Sequence, residues 1–91
     1  MGKHAEAEIE HRLILAAMEE KRGALHSIPL QRRKYLASCL LEQGKSAEAI
    51  LELEFIKSAV EHDPSLKGIT DPDFARLLER ARQAFAASDG A

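Results

Sequence analysis

The stretch from Gln43 to Pro64, QGKSAEAILELEFIKSAVEHDP, does most to limit what this chain can become. Gly44 supplies a left-handed turn residue that stops one helix, and Ser46 offers a capping hydroxyl for the next. Glu48 complements the helix dipole, and Pro64 forbids continuation beyond Asp63. Between these marks Ala49, Leu53, Ile56 and Val60 recur at helical spacing and make one apolar stripe. Leu51, Phe55, Ala59 and His62 make a second, with Glu52 between the two. A helix with two apolar sides wants two partners. The stretch therefore predicts either a helix wedged inside a bundle or one that keeps a side for another chain.

Three more helices follow from punctuation and period. The first is expected over about 5–24, a run of Ala, Glu, Leu and Arg frayed by Gly23, and the second over 29–43, with the Ser27 hydroxyl as cap and Pro29 in the first turn. The third spans 46–63. The fourth spans 71–87, capped by Asp71 or Thr70, and a disordered tail is expected over 88–91. No segment alternates at period two, so the fold class is all-α: a small four-helix antiparallel bundle in a single domain, 1–91. The fourth helix is one-sided, with Phe74, Leu77, Leu78, Ala81 and Phe85 apolar. The first is not: Ile9, Leu13, Ala16 and Ala17 fall on one side, and Ile14, Leu15, Met18 and Leu25 on another. The second turns Leu36, Ala37, Leu40 and Leu41 inward, with Tyr35 and Cys39 at the margins.

Composition narrows the class. With 45% of residues apolar and 31% charged, the chain is too hydrophobic for intrinsic disorder and too charged for a membrane protein. Its longest apolar run, Leu13 to Met18, is far short of the roughly 20 residues a bilayer crossing needs. A cytosolic protein is expected. The net charge of −2 gives no general attraction to phosphate, so nucleic acid is disfavoured. Arg32, Arg33 and Lys34 form the one basic cluster.

No catalytic, metal or cofactor site emerges, and no small-molecule substrate is evident. His4, Glu8 and His11 share a helical face at i, i+4, i+7, but spacing alone does not make a metal site, and a solvated acidic face is expected. DPSLKGITDPDF begins like a calcium loop and fails at its twelfth place, where Phe74 stands instead of a bidentate Glu. Cys39, the single cysteine, lies mid-helix away from helix N-terminal amides, and nothing in the sequence sets it beside His26 or His62 as a base; a core thiol is expected.

The central hairpin resembles a tetratricopeptide repeat, a helix-turn-helix unit of about 34 residues that binds peptides and proteins. The resemblance rests on YLASCLLEQGKSAEAI: Leu36 followed by small Ala37, Leu40 in the large apolar place, Gly44 at the turn, Ala49 with Ile50 opening the second helix, and Leu53 four residues after Ala49. Pro64 stands as the terminal proline, about three residues late. Ser46 replaces the usual aromatic and Arg33 the usual tryptophan. In stacked hairpins each unit leaves a surface for the next, which is what two stripes on one helix demand.

The expected function is a non-enzymatic protein-interaction module, acting as adaptor, chaperone-like partner or assembly subunit, with a protein partner or as a homodimer. Contact is expected first at Leu51, Phe55 and Ala59 and then at Ile14, Leu15 and Met18, with Arg32, Arg33 and Lys34 tuning the choice of an acidic partner. The alternative is a small helical regulatory or nucleic-acid-associated protein that uses the Arg32 to Lys34 cluster.

Overall fold

The computed structural model describes residues 2–89. It contains four α-helices, α1 (Gly2–Arg22), α2 (Ser27–Glu42), α3 (Ser46–His62) and α4 (Pro72–Asp89), with a 3₁₀ segment, Pro64–Ile69, between the last two. There is no strand among the described residues, so the all-α class holds. Each helix packs along the next in sequence, and α2 also touches α4. No helix of the described residues is long and apolar enough to cross a membrane.

The helix ends show which local chemistry wins. Gly44 takes φ +80 after α2, as expected of a residue that stops a helix. Gly23 does the same at φ +90, so α1 ends at Arg22, two residues early, and its N-terminal end reaches back to Gly2. His26 rather than Ser27 caps α2: its Nδ1 accepts the Ile28 N–H at 3.2 Å, and the helix opens two residues before Pro29. Ser46 does not cap α3. Lys45 stands at that place without a side-chain bond, and Ser46 is the first helical residue, buried. Asp71 is the cap of α4, its carboxylate accepting the Phe74 N–H at 2.9 Å. The connection between α3 and α4 is 3₁₀-helical, and at its start the Asp63 carboxylate accepts the Ser65 N–H at 3.1 Å and tightens the turn. At the other end, α4 continues through Ser88 to Asp89, which corrects the expected tail at those two positions; residues 90 and 91 lie outside the described residues.

The core joins α2, α3 and α4. Leu30, Leu36, Leu40, Leu53 and Ile56 are fully enclosed, and Phe74, Leu77, Leu78 and Ala81 close over them from α4. Burying each large side chain contributes about 1.5 to 3 kcal/mol. Ala37 and Ala49 have no exposed surface, and such small side chains let α2 and α3 lie close as an antiparallel hairpin. Among the described residues of α1, Leu15 alone belongs to this core.

Candidate interaction surface

Beyond Leu15, the helix α1 docks by polar side chains. The Glu8 carboxylate accepts from Gln43 at 2.8 Å and pairs with Lys45 at 2.9 Å and with Arg12 at 2.8 Å. His11 Nδ1 lies 3.2 Å from an Arg32 nitrogen, and the Cys39 thiol donates to the His4 carbonyl at 2.9 Å. Further along, Arg33 of α2 pairs with Glu19 of α1 through one terminal nitrogen and with Glu52 of α3 through the other. Its guanidinium also lies over the Phe55 ring, 4.1 Å from the centroid. Its Nε is buried without a partner among the described residues.

That single side chain fixes the arrangement. A planar guanidinium holds its two terminal nitrogens close together, so the carboxylates it binds must also be close. Hence α1 and α3 rise from the same side of α2, although they share no extensive backbone packing with each other. Both run antiparallel to α2 and therefore parallel to one another. The seam between them, with Arg33 at its base, is the trough of this face.

Electrostatics in the trough follow from these pairs. Hydrogen bonding to Lys45, then to Arg12 and Gln43, holds the Glu8 carboxyl down at about 2. The Glu8 carboxylate raises the Arg12 guanidinium, and the charges of Glu52 and Glu48 add to the effect. Burial pushes the Cys39 thiol up, which disfavours the thiolate that a nucleophile needs. Among the described residues no group of three His, Cys, Asp or Glu side chains is placed to hold a metal ion.

The apolar residues of α1 point the other way. Two residues along a helix is a turn of about 200°, so Ile9 stands opposite His11 and Leu13 opposite Leu15. Accordingly Ile9 is 60% and Leu13 68% exposed. On α3, Leu51 is likewise set against the buried Leu53 and is 70% exposed, while Phe55 is 37% exposed beside Arg33. The two exposed stripes flank the trough on the side away from α2.

Set against the expected contact residues, Leu51 and Phe55 lie on this surface, and Ile14 is exposed on the outer flank of α1. Met18 is half-buried. Leu15 and Ala59 are corrected: both belong to the chain's own core and cannot reach a partner. Leu15 is one step of about 100° round from Ile14, enough to carry it onto α2, and Ala59 has only a methyl group, too short to project past its neighbours. The basic cluster is also committed internally. Arg32 faces His11 and the Tyr35 ring, Arg33 holds two carboxylates, and Lys34 pairs with Asp71 at 3.1 Å. Ile9 and Leu13, absent from the expected set, are the residues that sequence reasoning missed. Their stripe was visible in the spacing, but its direction was not.

Comparison with protein-family models, with curated proteins and with solved structures finds no match in any of the three.

Proposed function

We propose that this chain is a non-enzymatic protein-interaction module that binds through the α1/α3 surface, in the manner of an adaptor or assembly subunit. One observation carries the reading: Leu51 and Leu13 are more than two-thirds exposed on neighbouring helices although the core below them is filled. Single exposed apolar residues are ordinary, but aligned stripes on adjacent helices point to an interaction site. The likeness of the α2/α3 hairpin to a tetratricopeptide unit agrees with this, since such hairpins expose a surface that a neighbour covers.

The test compares the wild-type chain with Leu51→Glu by cross-linking, purification and mass spectrometry, with circular dichroism as a check on folding. Leu51 is exposed, so the variant is expected to fold normally. A stoichiometric companion held by the wild type and lost from the variant is the expected result. Retention of the same companion by the variant, or two chains that both behave as lone monomers, would defeat the proposal.

A further inference from the structure

Resting on the reading that the α1/α3 surface binds protein, we infer that its occupant is a basic amphipathic helix of another protein, apolar on one side and flanked by lysine or arginine. Charge is the first reason. The helices α1 and α3 carry nine acidic against five basic side chains, whereas the rest of the chain carries six against eight. Glu6, Glu20 and Glu48 are exposed beside the apolar stripes and have no ion-pair partner among the described residues. The basic groups do not offset them. Arg12 is held by Glu8. Helical steps carry Lys3 and Lys21 to the outer flank of α1 and put Arg22, seven residues after Leu15, on the side toward α2; Lys57 turns toward α4, where it lines a cleft with Val60, Phe74 and Leu78. What faces a ligand lying over the trough is therefore apolar surface rimmed by carboxylates, the complement of a helix with leucines inward and cations at its edges.

Symmetry weighs against a second copy. A two-fold pairing over this face would set an acidic rim against itself. One helix laid along the trough meets opposite charge instead.

The probe is a fluorescent 18-residue peptide of leucine and lysine with leucines at i, i+3, i+4 and i+7, alongside its leucine-glutamate counterpart, read by fluorescence anisotropy. Saturable binding of the lysine peptide is expected, weakened by added salt. Leu51→Glu and Leu13→Glu should each weaken it roughly tenfold or more. The pair Glu20→Lys with Glu48→Lys should shift preference to the glutamate peptide, while Glu79→Lys on α4 should change nothing. Binding indifferent to the Leu51 and Leu13 variants, or equal binding of both peptides, overturns the inference. If neither peptide binds but sedimentation shows self-association lost in Leu51→Glu, the basic helix is excluded and the surface stands. If neither peptide binding nor self-association responds to the face variants, both readings fall.

Discussion

The two end helices attach to the same central hairpin in opposite senses. α4 turns Phe74, Leu77, Leu78 and Ala81 inward and its charges outward, the usual economy of an amphipathic helix. α1 gives the core Leu15, but Glu8, His11 and Glu19 also meet α2 or its turn, and Ile9 and Leu13 meet solvent. Hydrophobic burial fixes one helix, and a set of ion pairs and hydrogen bonds aims the other. An inward polar side costs stability, since such pairs yield little net free energy beside packed side chains. It also leaves the apolar stripe of α1 free for use.

Three measurements would break or sharpen that contrast. The largest effect is expected at Phe74→Ala, where a buried α4 anchor is removed; about 3 to 5 kcal/mol of unfolding free energy should be lost in urea denaturation. A loss no larger than that of an exposed residue would mean that α4 is not held as described. Arg33→Leu comes next. It leaves Glu19 and Glu52 facing each other without their cation, and a cost of about 1 to 3 kcal/mol is expected. The damage should concentrate on α1. Because the Cys39 thiol is buried and donates to the His4 carbonyl, its labelling by a disulfide reagent should quicken in this variant while the helical signal changes little. Unchanged labelling would show that α1 is held by something else.

The smallest effect is in acid. Glu8 has its folded-state pKa depressed from 4.5 to about 2, so its contribution is present above the unfolded value and disappears as pH falls through that interval. Stability measured from pH 5 to pH 2 should fall less steeply in Glu8→Gln than in the wild type. Parallel acid limbs for the two proteins would remove Glu8 from the account of α1.

Much of the scaffold was legible in the chain. Gly44 and Pro64 bounded α3, the Ala49, Leu53, Ile56 stripe proved to be core, and α4 declared its inward side through Phe74, Leu77, Leu78 and Ala81, although Phe85, expected with them, is exposed. α1 resisted reading because apolar residues occur on more than one of its sides. Leu15 and Ile14 differ by a single helical step, and no periodicity says which of the two is buried. The deciding contacts join Arg33 to residues 14 and 19 positions away, and ion pairs at such separations leave no repeating mark in a sequence. The same blindness made Arg32, Arg33 and Lys34 look available for an acidic partner, when each faces a group on its own chain.

The Arg33 junction has a consequence for descent as well as for architecture. Positions 19, 33 and 52 form one charge unit: a chain that lost the guanidinium while keeping both carboxylates would hold two like charges with nothing between them. Substitution at any one of the three is tolerated best when the others change in step, so lineages of this chain should drift there in concert rather than one site at a time.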